Sequence, residues 1–204
     1  MNLPTALDSG TVEITPFSQK INSCLTKDKI KVLQINLGRK CNLACTHCHV
    51  EAGPKRTEEL SPEVCTQIVE LINRFEQIET VDLTGGAPEM NYGFKEIVEA
   101  ARAKDKEVIV RSNLTIFFEP GFEDMPAYFA ENQLRVVASL PCYLESNVNS
   151  QRGAGVYNKS VLAIQQLNQL GYGNDPNLIL DLVYNPPLPK DTNFSLAPNQ
   201  QKLE

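Results

Sequence analysis

From Ile30 onward the chain switches between two hydrophobic periods. Five short runs rich in β-branched residues read as strands: Lys31–Leu37 (KVLQINL), Thr80–Thr84 (TVDLT), Glu107–Ser112 (EVIVRS), Leu134–Leu140 (LRVVASL) and Leu178–Tyr184 (LILDLVY). Between them apolar residues recur at helical spacing. The stripes are Val64, Ile68, Leu71, Ile72 and Phe75; then Phe94, Ile97, Val98 and Ala101; then Val161, Ile164, Leu167 and Leu170. A weaker helical pattern covers Phe122–Asn132. Ser61 suits an N-cap and Pro62 the first helical position, while Gly171 suits the residue just past a helix end. Cys65 falls beside the first stripe and reads as packing. Strands alternating with helices of this length predict βαβ units and a parallel sheet. Right-handed crossovers then curl the five strands into a partial (β/α), TIM-like barrel.

The flanks differ from this core. Residues 1–29 carry Pro4, Pro16 and scattered polar groups without a clear period, and read as an N-terminal extension. Cys24 lies there with no partner spacing and reads as an idle or buried thiol. Residues 30–187 form the expected core domain. The Pro/Asn/Gln-rich stretch 188–204 reads as a disordered tail.

Composition narrows the class of function. The formal charge of −6 gives no basic footprint for nucleic acid or an anionic membrane. No apolar run is long enough to span a bilayer, and Met1–Lys20 lacks the basic and apolar regions of a signal peptide. The expectation is a cytoplasmic protein. Its six cysteines then read as metal or redox groups before disulfides.

Working residues in such a sheet belong at the C-terminal ends of the strands, and the sequence places its distinctive segments there. Strand one runs into Lys40–His49 (KCNLACTHCH), with Cys41, Cys45 and Cys48 at C-x₃-C-x₂-C spacing. Strand two is followed by Gly85-Gly86-Ala87-Pro88-Glu89, and strand three ends in Arg111-Ser112-Asn113, with Thr115 just beyond. Ser139 closes strand four, Cys142 lies in the Pro141-Cys142-Tyr143 segment after it, and Gln151-Arg152-Gly153 follows a polar loop. A cubane iron–sulfur cluster ordinarily takes four thiolates. Three from one loop leave an iron free to chelate a small molecule and pass it an electron. The other reading of the loop is a zinc knuckle with His47 or His49 as fourth ligand, although no second ligand hook is present. Two adjacent glycines let a backbone approach a ligand closely. Arg152 is suited to clamp a carboxylate, and His49 reads equally as a substrate group or a neutral loop histidine.

The cysteine motif, with His47 before the last thiol, resembles that of the radical S-adenosylmethionine (SAM) enzymes. The resemblance implies a partial barrel holding a [4Fe–4S] cluster on Cys41, Cys45 and Cys48. It implies SAM on the open iron, cleaved to methionine and a 5′-deoxyadenosyl radical with an electron from a donor such as a flavodoxin or ferredoxin. It further implies SAM contacts from His47, Gly85, Gly86, Glu89, Ser112, Asn113 and Ser139. Here Ala87-Pro88 separate the glycines from Glu89, whereas the usual pattern has the glutamate directly after them. Within the superfamily, CNLACTHCHVEAGPKRTE, DLTGGAPEMN, RSNLTI and ASLPCYLESNV…QRG resemble the arsenosugar-biosynthesis radical SAM/Cys-rich domain proteins. That implies transfer of the 5′-deoxyadenosyl group to a trivalent methylated arsenical, with Cys142 as a candidate substrate thiol. A different radical SAM reaction on a peptide or small molecule is the alternative, as is an inactive metal-binding remnant. Relative to that family the chain lacks the cysteine-rich C-terminal part and a sixth strand, and so reads as C-terminally truncated.

Overall fold

The computed structural model describes residues 15–21 and 28–185. Cys24 and the expected tail, 188–204, lie outside the described residues, as does most of the expected N-terminal extension. A helical turn α1 (Phe17–Lys20) precedes β1 (Val32–Asn36). Then follow α2 (Pro62–Arg74), β2 (Thr80–Thr84), α3 (Phe94–Arg102), β3 (Glu107–Ser112), α4 (Met125–Glu131), β4 (Arg135–Ser139), α5 (Glu145–Arg152), α6 (Val156–Gln169) and β5 (Leu180–Val183). Short 3₁₀ turns at Pro88–Met90 and Thr115–Phe118 follow β2 and β3. All five strands pair in parallel in the order β1-β2-β3-β4-β5. This is the five-stranded partial barrel that the alternating periods predict.

The strands are amphipathic, which decides where core and site lie. Leu33, Ile35, Val81, Leu83, Val108, Val110, Val136 and Ala138 share one face and pack into the core beneath the helices. The opposite face carries Gln34, Asp82, Arg111, Arg135 and Asp181. Two polar ladders cross that face. Gln34 Nε2 donates to Asp82 (2.8 Å), and Arg111 donates to both Asp82 oxygens. Lower down, the Thr80 hydroxyl donates to Glu107 (3.0 Å), and Arg135 bridges Glu107 (3.5 Å) and Asp181 (2.7 Å). The lower ladder is half-exposed, and such pairs contribute little stability.

Three local expectations change. On α2 the buried positions are Cys65 and Ile72, with Ile68 and Val69 beside them, while Val64 and Phe75 are exposed. The 65-68-69-72 stripe faces α3, so Cys65 sits on the packed face instead of at its edge. The weaker helix starts at Met125 instead of Phe122, because Phe122 and Asp124 carry the turns leading into it. The segment after β4 is not a loop but α5. Its composition is polar and only Val148 and Arg152, one turn apart, are buried, so no apolar stripe marks it in the sequence. Gly171 does end α6, at φ +108°.

One buried tie holds the far end of the sheet. The fully buried Tyr172 donates its hydroxyl to the Leu134 carbonyl (2.8 Å), joining the turn after α6 to the entry of β4. Tyr172→Phe is expected to lower unfolding stability by about 1 kcal/mol. Urea unfolding should show this as a lower midpoint at unchanged slope.

Candidate active site

The cysteine loop and the glycine segment are built on each other. The Leu37 N–H donates to the Thr84 carbonyl (2.9 Å), Gly86 N–H to Gly38 (2.9 Å) and Ala87 N–H to Lys40 (2.9 Å). No side chain fits in this seam. A Cβ on Gly86 would lie 2.3 Å from the Lys40 oxygen, and one on Gly85, at φ +144°, 2.8 Å from the Gly38 oxygen. The amide of Gly86 is therefore committed to the fold. Its carbonyl and that of Gly85 accept no hydrogen bond among the described residues. An ammonium group needs acceptors, so these carbonyls are the groups suited to it.

Above the seam lies a cavity of about 270 Å³ at the C-terminal end of the sheet. Cys41, Cys45 and Cys48 all line it, together with His47, Gly85, Gly86, Asn113 and Ser139 from the expected site. Thr84, Arg111 and Arg152 also reach its wall. The Cys41 sulfur accepts N–H donors from Leu43 (3.5 Å) and the Asn113 amide (3.6 Å), and the Cys48 sulfur accepts from Ala52 N–H (3.2 Å). Asn113 also donates to Asn42 (2.8 Å), while its oxygen receives the Thr115 hydroxyl (2.9 Å). The end of β3 thereby fixes the first half of the cysteine loop. Burial pushes the Cys41 thiol up, and the Leu43 and Asn113 donors oppose it. A metal ligand at this position would have to be the thiolate.

The donor set fits an iron–sulfur cube better than a single ion. Among the described residues, no three His, Cys, Asp or Glu side chains converge closely enough to hold one metal ion. The zinc reading thus lacks its tetrahedral set, whereas a cube takes its thiolates at separate corners. The cavity also holds polar groups suited to the rest of SAM. Arg152 is 4% exposed, donates through Nη1 to the Ser139 carbonyl, and keeps a buried Nε with no partner among the described residues. Burial and the Arg152 charge lower the basicity of His47, whose Nδ1 is likewise buried and unpartnered.

Four candidate residues stand apart from the cavity lining. Ser112 faces the core, where its hydroxyl accepts the Leu114 N–H (3.1 Å). Cys142 is buried with Val148 and Val156, its sulfur accepting from Leu144 N–H (3.5 Å) and the Asn147 amide (3.4 Å). Glu89 is buried within the 3₁₀ turn that Pro88 opens after the glycines, and does not line the cavity. His49 is exposed and off the cavity. Arg111 and Thr84 were not singled out as site residues from the sequence. The period-2 alternation of β2 and β3 places both on the polar face, and is the signal that reveals them.

Glu89 is the most perturbed acid near the site. Both carboxylate oxygens are buried and, among the described residues, meet no partner at hydrogen-bonding geometry. Burial raises it from 4.5 to about 7, against a smaller downward pull from the Ser112 hydroxyl. A carboxyl whose folded-state value is raised binds more protons folded than unfolded between those limits. Stability should therefore fall as pH rises from 4.5 to about 7, by on the order of 3 kcal/mol. Glu89→Gln should flatten the profile, read by urea unfolding at stepped pH.

Comparison with known proteins gives these features a family. The Radical SAM superfamily pattern matches residues 35–183. The mycofactocin maturase MftC of Mycolicibacterium smegmatis is 30% identical over 132 residues, covering 65% of this chain and 33% of MftC. Two solved structures share the fold. One is native anSMEcpe with bound AdoMet and Cp18Cys peptide, with a TM-score of 0.57 and 16% identity over 76% of this chain and 42% of that one. The other is Streptococcus suis SuiB bound to precursor peptide SuiA, with a TM-score of 0.56 and 14% identity over 70% and 31%. The chain thus spans about a third of MftC's length and less than half of either solved chain. With three thiols around one cavity at the mouth of a partial barrel, the chain belongs to the radical SAM superfamily, whose cofactors are a [4Fe–4S] cluster and SAM.

Proposed function

We propose that this chain binds SAM against a three-thiolate [4Fe–4S] cluster and starts radical chemistry on a substrate in the same cavity. The observation that carries this is the convergence of Cys41, Cys45 and Cys48 on one cavity with the Gly85–Gly86 backbone and a buried, unpartnered Arg152 Nε. When bound, the cluster and SAM supply one-electron cleavage to a 5′-deoxyadenosyl radical. The residues hold and shield. Cys41, Cys45 and Cys48 would each take an iron, with Leu43, Asn113 and Ala52 donating to two of the sulfurs, which tunes cluster potential. The Gly85 and Gly86 carbonyls would receive the SAM amino group. Arg152, with the Ser139 hydroxyl beside it, would receive the carboxylate. His47 and Asn113 would border the nucleoside. Cys45 and Cys48 are partly exposed, giving a flavodoxin- or ferredoxin-type donor a short path to the cluster.

For the substrate we propose a trivalent methylated arsenical that accepts the 5′-deoxyadenosyl group. The segments CNLACTHCHVEAGPKRTE and DLTGGAPEMN, which resemble arsenosugar-biosynthesis proteins, support this reading. A second reading, peptide modification, is favoured by the matches to maturases and to structures holding peptides. Anaerobic reconstitution with SAM, a reductant and dimethylarsinous acid separates them by mass spectrometry. An adenosyl–arsenic product supports the first; free 5′-deoxyadenosine alone overturns it.

The glycine seam has its own test. Gly86→Ala should lose most of the iron and acid-labile sulfide taken up on reconstitution, since its Cβ collides with Lys40. Gly53→Ala, in the cysteine loop, meets its nearest atom at 4.0 Å and should retain both. Equal iron content in the two variants would sink the claim that the seam shapes the cluster site.

A further inference from the structure

The SAM assignments leave one charged group in the cavity unused. Arg111 rises from β3 into the wall, and its guanidinium is held in place from behind. Nε donates to Asp82 Oδ1 (2.9 Å) and Oδ2 (3.2 Å), and Nη2 donates to Oδ2 (2.8 Å). Asp82 is itself buried and fixed by Gln34 Nε2 (2.8 Å). This uses one edge of the planar fork. Nη1 meets no acceptor among the described residues, and the side chain is 41% exposed, toward the cavity it lines. Two guanidinium groups, Arg111 and Arg152, therefore line a space whose wall includes no carboxylate. SAM brings a single carboxylate. A second anionic group has a fixed donor waiting for it.

We propose that Arg111 is a substrate-binding residue whose free Nη1 edge takes a carboxylate of the substrate. This rests on the reading of the cavity as the meeting place of SAM and substrate, and it deepens that reading by giving the substrate class a charge. Arsenic(III) is soft and prefers sulfur. Dimethylarsinous acid condenses with a thiol, As–OH and S–H giving As–S and water. The carboxylate can thus come from a thiol carrier of the arsenic, or from a peptide. Asp82 acts through Arg111 as a positioning residue. It orients the fork and holds its planar edge toward the cavity, the geometry that suits a carboxylate.

The test compares probes that differ only at the carboxylate. Dissociation constants are measured by calorimetry on the anaerobically reconstituted chain with SAM. One pair is the dimethylarsenic(III) conjugates of N-acetylcysteine and N-acetylcysteine amide; the other is tetraglycine and tetraglycine amide. In one pair the acid should bind about tenfold more tightly than its amide, and the pair that shows the preference names the carboxylate's source. Arg111→Gln should bring that ratio close to one, and Arg111→Lys should reduce it. A purely structural role for Arg111 would weaken acid and amide equally and leave the ratio intact. Should Arg111→Gln fail to fold by circular dichroism, the ratio in Arg111→Lys decides. No preference in either pair, or a ratio unchanged in the folded variants, overturns the proposal. Iron content and SAM cleavage of the wild-type chain are read separately. Their failure would overturn the proposed function, while the ratio on the cluster-free chain still judges Arg111, whose site Asp82 and Gln34 build without the cofactors.

Discussion

Three backbone hydrogen bonds between the first two strand–helix loops govern this molecule. They run from Leu37 to Thr84, from Gly86 to Gly38 and from Ala87 to Lys40. They extend the parallel pairing of β1 and β2 beyond the strands and lay the glycine segment under the cysteine loop. A parallel ladder has evenly spaced, slanted bonds, so its register carries directly into whatever follows. Here it carries into a seam where Gly85 and Gly86 have no room for a side chain. The three thiols line one cavity above this fixed seam, and Gly85 and Gly86 line it with them.

The sheet departs from the habit of parallel sheets, which bury apolar residues on both faces. Among the described residues, helices cover the face bearing Val81, Leu83, Val108, Val110 and Val136. The other face is charged and paired, with Asp82, Arg111, Glu107, Arg135 and Asp181 in two ladders. A buried carboxylate such as Asp82 is tolerable because Arg111 and Gln34 satisfy it. Both Glu89 oxygens lack a hydrogen-bond partner among the described residues, and burial raises this acid to about 7.

Local signals foretold most of the architecture. The β-branched runs and 3.6-residue stripes marked all five strands and the apolar helices, since each must bury one face. The C-x₃-C-x₂-C spacing, on one short loop at a strand end, marked the three thiols that line the cavity. Helix α5 escaped because a polar helix with two buried residues leaves no periodic trace.

The sequence by itself determined the order of elements, the parallel sheet and the placement of the thiols and the Gly–Gly pair at strand ends, because those follow from period and spacing along one chain. Only the tertiary structure decided that Glu89, Ser112 and Cys142 stand off the cavity wall while Arg111 and Thr84 stand on it. Whether a strand-end residue faces cavity or core depends on register and on one added turn at Pro88. Alternation along one strand separates its two faces, but which face meets the cavity is a relation between segments far apart in sequence.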